Sequence, residues 1–115
     1  MLSVLRSTFN KFGTPGTLET IVAPASNTKG IKIFGAFATD NTGTISATTR
    51  VMAKASAPTS ATDVAANTLA VSGNTTIGMS ATGFPVVLPP GVGLYAQSSP
   101  GNANASYGVE YEVLA

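Results

Sequence analysis

The chain of 115 residues contains no cysteine, no histidine and no tryptophan. It therefore has no disulfide framework, no imidazole base, no thiolate nucleophile and no zinc site of the common Cys/His type. Charged residues make up only 10% of the sequence, against about a quarter in an average globular domain. We expect a protein that is not an enzyme, with no catalytic residues, no cofactor, no bound metal and no small-molecule substrate.

The few charges also bear on the partners. The formal net charge is +1, and nucleic-acid binders instead show clustered Lys and Arg. No segment approaches the roughly 20 apolar residues of a membrane span. We therefore expect neither nucleic acid nor a membrane as partner. Residues 1–54 contain all the basic side chains, whereas residues 55–115 contain only acidic ones. These halves either complement each other between subunits or cover different faces of one domain.

Short β-branched or aromatic runs recur between clusters of Gly, Pro, Asn and Ser, which is typical of a β-sandwich or barrel. We predict eight strands, at Leu18–Ala23, Gly30–Thr39, Thr44–Ala55, Thr68–Ser72, Thr76–Ser80, Pro85–Leu88, Gly93–Ser98 and Ser106–Leu114. The predicted fold is all-β: a single antiparallel β-sandwich, jelly-roll-like, of about eight strands.

Alternation of side chains predicts which strand faces are buried. In Thr44–Ala55 the set that includes Val51 faces the core and the set that includes Arg50 faces solvent. In the last strand the tyrosines and valines oppose Glu110 and Glu112, so one face is expected to be buried and the other wet. Gly30–Thr39 is less regular, and both of its faces are expected to be covered.

Turn-forming residues separate the predicted strands. Asp40–Gly43 predicts a tight hairpin, and Pro89–Gly91 predicts a sharp corner because proline cannot sit in a central ladder. Ala57–Asn67 is expected to be a long surface loop with one helical turn around Asp63–Ala66. Ser98–Ser106 is expected to be a polar loop.

The N-terminal segment has a different pattern. Four large apolar residues follow one another at spacings of three, four and three, which predicts one helical stripe: Leu2, Leu5, Phe9 and Phe12. The Gly13–Gly16 segment separates them from the first predicted strand. We therefore predict an N-terminal arm or short helix over residues 1–17 and a sandwich domain over residues 18–115. The segment either packs on its own domain, as a helix or an extended stretch, or is an arm that docks on a partner chain. The four apolar residues are the candidate partner-binding residues.

Other candidate sites are weaker. Glu110 and Glu112 share a strand face about 7 Å apart, but adjacent glutamates on a wet face are normally solvated charges rather than a catalytic pair. Tyr95, Tyr107 and Tyr111 could line a carbohydrate groove by stacking. The abundant small residues suit broad, flat contacts, and the near-zero net charge protects poorly against self-association.

The segment Val86–Tyr95, with its Pro-Pro-Gly corner and Leu-Tyr, together with the closing segment Tyr107–Val113, resembles small β-sandwich virion proteins of tailed bacteriophages. Head decoration, or cement, proteins are the most similar class. The segments Val22–Ala25 and Asn27–Ile33 are similar to the first paired strands of such proteins. The resemblance covers residues 18–114.

The resemblance implies a non-enzymatic virion structural protein, located on the capsid surface and assembled in the host cytoplasm. It implies a homo-oligomer, most simply a trimer, that clamps subunits of the major capsid protein or binds other virion proteins. A neck, tail or fibre component is the alternative within the virion. A carbohydrate-binding β-sandwich module is the alternative outside it.

Overall fold

Two antiparallel sheets face each other in the computed structural model, which describes residues 4–11, 18–39, 48–72, 79–80, 83–99 and 105–114. The strands are β1 (Val4–Lys11), β2 (Glu19–Val22), β3 (Ile31–Thr39), β4 (Thr48–Lys54), β5 (Asn67–Ser72), β6 (Met79–Ser80), β7 (Val86–Leu88), β8 (Gly93–Ser99) and β9 (Ser106–Val113). The first sheet has the order β1-β9-β3-β7 and the second has the order β2-β8-β4-β5-β6. The predicted all-β sandwich is confirmed, and each of the eight predicted segments contains a strand.

The ninth strand, β1, lies where the sequence predicted an arm or a short helix. It runs antiparallel to β9, from Val4 opposite Val113 to Lys11 opposite Ser106. Over this segment the helix alternative is wrong, and the chain is an extended stretch on its own domain. A helix of three turns is marginal in water, whereas β9 offers a ladder of backbone donors and acceptors along its free side. The predicted division at residue 17 falls outside the described residues and stays a prediction.

The main core lies between the sheets. Ile31, Ile33, Val51 and Leu94 are completely buried there, and Val109 is almost so. Tyr107 and Tyr111 join them from β9, while Glu110 on the opposite face is exposed. The alternation predicted for the last strand is therefore confirmed.

A β-bulge explains the irregular pattern of β3. Ile33 pairs with Tyr111 and Gly35 pairs with the next residue of β9, so Phe34 has no partner. This extra residue changes the phase of the strand and brings Ile31, Ile33, Ala36 and Ala38 onto one buried face. The opposite face carries Lys32 and Phe34, and Phe34 is exposed. The expectation that both faces of this strand are covered is wrong at Phe34, because the bulge restores a single inner face.

In strand β4 both faces are buried, although one face was expected to contact solvent. Val51 and Ala53 face the core as predicted, but Arg50 and Met52 on the supposedly wet face are buried as well. The segment that follows β4 covers them. Met52 forms a second, smaller core with Ala66 and Tyr95, against which Leu18 packs. The predicted surface loop is thus a structural layer on the second sheet.

The predicted corner at Pro89–Gly91 is confirmed. Gly91 has a φ of +85°, a conformation that favours glycine. The buried Asn27 secures the corner, because its Nδ2 donates to the carbonyls of Pro89 (2.8 Å) and Val92 (2.9 Å). Its Oδ1 accepts from the backbone N–H of Gly30 at 2.7 Å. The predicted hairpin at Asp40–Gly43 lies outside the described residues, as does most of the predicted loop between Ser98 and Ser106.

The bulge generates a testable prediction. Deletion of Phe34 leaves β3 with regular alternation, since Gly35 would then follow Ile33 directly and Ala36 would still face inward. We expect this variant to fold with a melting temperature within about 5 °C of the wild type. Deletion of Phe37 is the matched control. It moves Ala38 outward and Thr39 inward, and calorimetry should show a loss of more than about 10 °C. Equal losses of melting temperature in the two variants would contradict the assignment of Phe34 as the extra residue of the bulge.

Candidate assembly surfaces

We call the outer face of the second sheet the closed face, because a buried arginine holds a loop over it. Arg50 is 8% exposed. Its guanidinium donates to the backbone carbonyls of Asp63 (2.7 Å), Ala66 (2.5 Å) and, more weakly, Ala61 (3.4 Å). Its Nε donates to the Oγ1 of Thr68 at 2.6 Å. The planar fork of arginine donors suits several acceptors at once. One side chain thereby binds residues 61–66 to the sheet.

Asp63 completes this network from the loop side. Its Oδ2 lies 2.7 Å from the Nζ of Lys54 and accepts from the N–H of Thr59 at 3.0 Å. Its Oδ1 accepts from the N–H of Ala65 at 2.9 Å. The Lys54 hydrogen bond, and then those of Thr59 and Ala65, hold the pKa of the Asp63 carboxyl well below its usual range. The turn predicted around Asp63–Ala66 is present, closed by a hydrogen bond from the N–H of Ala66 to the carbonyl of Asp63.

Burial affects two further groups beneath the loop. Desolvation lowers the pKa of the Arg50 guanidinium, although the nearby Asp63 carboxylate acts in the opposite direction. Burial raises the pKa of the Tyr95 hydroxyl, against the opposing effect of Lys54. No sequence pattern indicated this site. The one available signal was a basic residue in the middle of a strand followed by a long, weakly β-forming loop.

We call the outer face of the first sheet the open face. One row of directly paired residues crosses all four of its strands: Leu5, Glu112, Lys32 and Val87. Val87 is 56% exposed and Phe34, beside the row, is 37% exposed. The Lys32 ammonium lies 5.4 Å from the centroid of the Phe34 ring, within cation–π range. This face thus combines both signs of charge with exposed apolar groups.

The four sheet edges differ in their protection against pairing with another chain. Strand β2 has four residues and a bulge, β6 has two residues, and β7 has three residues between Pro85 and Pro89. Short strands, bulges, prolines and charged residues are the usual ways of blocking an edge. Strand β1 has eight residues without Pro or Gly, and its charged residues are Arg6 and Lys11. No strand in the described ranges pairs with its outer side, so β1 is the longest free edge of the described sheets.

The predicted partner-binding residues are partly located. Leu5 is paired with Glu112 and Phe9 with Gly108, which places both positions on the open face. A separation of four residues brings two side chains to the same face in a strand as well as in a helix. Leu2 and Phe12 lie outside the described residues. The predicted stripe is therefore replaced by two positions on a sheet, whose binding role stays a prediction.

The residues of the other candidate sites do not form a common surface in the structure. Tyr107 and Tyr111 lie in the main core, whereas Tyr95 lies beneath the loop on the closed face, and all three are buried. They form no exposed stacking platform for a sugar. Within the described ranges there is no group of three or more acidic side chains that could hold a metal ion.

A cleft of about 280 Å³ opens between β2 and β9. It is lined by Ile21, Val22, Ala23, Ser26, Tyr111 and Val113. This volume lies at the lower limit for small-molecule sites. The lining residues that the structure describes include no carboxylate and no basic side chain.

Comparison with protein-family models, with curated proteins and with solved structures gave no match to this chain. The resemblance to virion proteins therefore rests on the residues quoted for it and stays a prediction. None of the described segments forms a helix long and apolar enough to cross a membrane.

The Asp63 network predicts a specific pH dependence of stability. Because folding lowers the pKa of Asp63 below its unfolded value of 3.8, the unfolded chain takes up this proton first as the pH falls. The stabilisation is complete above about pH 5 and is lost as the pH drops below 4 towards the folded pKa. Melting temperatures measured from pH 6 to pH 2 should fall less steeply for Asp63→Asn than for the wild type. Parallel curves would contradict this account.

Proposed function

We propose that the protein is a non-enzymatic structural subunit of a virus particle, a capsid decoration protein that binds major capsid protein subunits and stabilises the shell. The observation that carries the proposal is the long edge of β1, with which no strand in the described ranges pairs on its outer side. The resemblance of residues 18–114 to decoration proteins supplies the virion context. The edge supplies the physical means of attachment.

Strand addition at β1 explains why this edge differs from the others. Alternate residues of an antiparallel strand direct both N–H and C=O to the same side, so about half of β1 presents its backbone groups away from β9. A strand of a neighbouring protein can pair with these groups and extend the first sheet. Each such hydrogen bond contributes about 0.5–1.5 kcal/mol net, so several together give useful affinity.

The register places positions 5 and 9 of β1, Leu5 and Phe9, on the open face beside the edge, where the strand of a capsid subunit would lie. Main-chain pairing gives affinity in this mode, and side chains on alternate positions give specificity. The closed face cannot serve in the same way, because residues 61–66 already occupy it.

Adjacent proline substitutions in β1 test the proposal. Ser7→Pro and Thr8→Pro remove neighbouring N–H groups, one of which faces β9 and the other the open edge. We expect one variant to lose several degrees of melting temperature and the other to melt close to the wild type. The stable variant should bind at least about tenfold more weakly to empty capsids assembled from the major capsid protein of the same genome, measured by co-sedimentation.

Ser7→Ala and Thr8→Ala are the controls, because they keep both N–H groups. Both should bind capsids as the wild type does. Two results would contradict the proposed function. In one, wild-type protein fails to sediment with these capsids and leaves their melting temperature unchanged. In the other, the stable proline variant binds with wild-type affinity.

A further inference from the structure

The open face is complementary to itself. Along the row Leu5–Glu112–Lys32–Val87, the outer two positions are apolar and the inner two carry opposite charges. Consider a twofold axis that lies above the open face, parallel to the strands and midway between β3 and β9. It places the β3–β7 half of the row in one copy over the β9–β1 half of the row in the other copy. It sets Lys32 of one copy over Glu112 of the other, and Val87 over Leu5. Every position in the row then meets a position of matching chemistry.

We propose that the open face binds a second copy of this chain, face to face, about this axis. Such a contact is isologous, since each pair of residues occurs twice. The proposal does not rest on the capsid function: it concerns the isolated protein and uses the face of the first sheet rather than the edge of β1.

The neighbouring positions also fit this arrangement. In the next row Gly35 pairs with Glu110, so the axis sets Glu110 of one copy over Gly35 of the other. A Cβ atom placed on Gly35 would have no heavy atom within 4 Å in the described part of the structure. The longer side chain of Glu110 therefore has room above the glycine.

The fold itself does not require a glycine at position 35. Its φ is not in the left-handed region, and no described neighbour crowds the position. Glycine in a strand is unfavourable by comparison with residues that have a side chain, and it often marks a bulge or the close approach of a ligand or another backbone. Gly35 borders the bulge at Phe34, and the space above it also admits a second copy on the open face.

The charges of this face are available for the contact. The one ion pair found among the described side chains joins Lys54 to Asp63, on the opposite side of the molecule. Glu110 is exposed, and Lys32 and Glu112 are half-buried. Stacking two copies brings each Lys32 against a carboxylate of the other copy while partly removing both from water, which strengthens their attraction.

The size of the face predicts a reversible dimer. Three strands of about eight residues and the three-residue β7, at about 4.8 Å spacing and about 3.4 Å rise, cover roughly 440 Å² per copy and roughly 900 Å² in total. That is the size of a weak, transient contact. The pairing should therefore depend on protein concentration and weaken at high salt.

Charge reversal with mixing tests the proposal on purified protein. Lys32→Glu sets glutamate over glutamate in the dimer, and Glu112→Lys sets lysine over lysine. We expect each variant to dimerise at least about tenfold more weakly than the wild type in sedimentation equilibrium. An equimolar mixture of the two should recover the dimer, since every pair in the mixed dimer is again attractive. Recovery by mixing can arise only from a contact between chains.

Two further variants control for folding. The double variant Lys32→Glu with Glu112→Lys keeps one charge of each sign in the row and should dimerise as the wild type does. Gly35→Leu fills the open space, so it should keep the wild-type melting temperature while losing the dimer.

Three outcomes overturn the proposal. The first is a wild-type mass of one times 11.5 kDa at millimolar concentration. The second is a mixture of the single variants that remains as monomeric as its components. The third is a trimer, as the resemblance implies, whose stability neither charge reversal changes. Capsid binding is measured separately. A monomeric protein would therefore not contradict the proposed capsid function, and a failure to bind capsids would not contradict the dimer.

Discussion

The buried guanidinium of Arg50 determines what each side of the sandwich can do. It satisfies the backbone carbonyls of a loop that has few large apolar residues and could not stay on the sheet through hydrophobic contact alone. Lys54 and Asp63 hold the same loop at its outer margin. With the loop in place, Met52 and Tyr95 become a second core. A buried charge without these acceptors would be strongly unfavourable, so loop and arginine depend on each other.

Because of this arrangement the two outer faces of the sandwich differ, and we call the molecule two-sided in this sense. One outer face is occupied by the protein's own chain, and the other presents Lys32, Phe34 and Val87 beside acidic positions of β9. Three sheet edges are short, bulged or flanked by proline, and the fourth, β1, is long and regular. Two of the three exposed large apolar side chains among the described residues, Phe34 and Val87, lie on the first sheet, and the third, Val64, lies in the loop on the closed face. The proposed role as a small subunit that binds neighbouring chains rests on this distribution.

The sequence located the strands because turn residues and alternation are local signals, and β9 is an example in which both were clear. It could not locate the bulge at Phe34, since the phase of β3 is set by pairing with β9, about 75 residues later in the chain. The N-terminal spacing could not decide between a helix and an extended stretch, because residues four apart, such as Leu5 and Phe9, share a face in either structure. Leu5 and Phe9 were identified as candidate site residues, but the row that joins Leu5 to Glu112 and Lys32 depends on long-range register. The burial of Arg50 depended on a loop whose path no local pattern indicates.

Hydrogen exchange of the dilute, monomeric protein tests the two-sided account most directly. The account predicts slow exchange for the amides of Thr59, Asp63, Ala65 and Ala66, which are hydrogen-bonded within the closed loop. It predicts an alternating pattern along β1, in which amides that face β9 are protected and those at the open edge exchange rapidly. Rapid exchange throughout residues 59–66, or uniform protection along β1, would contradict it.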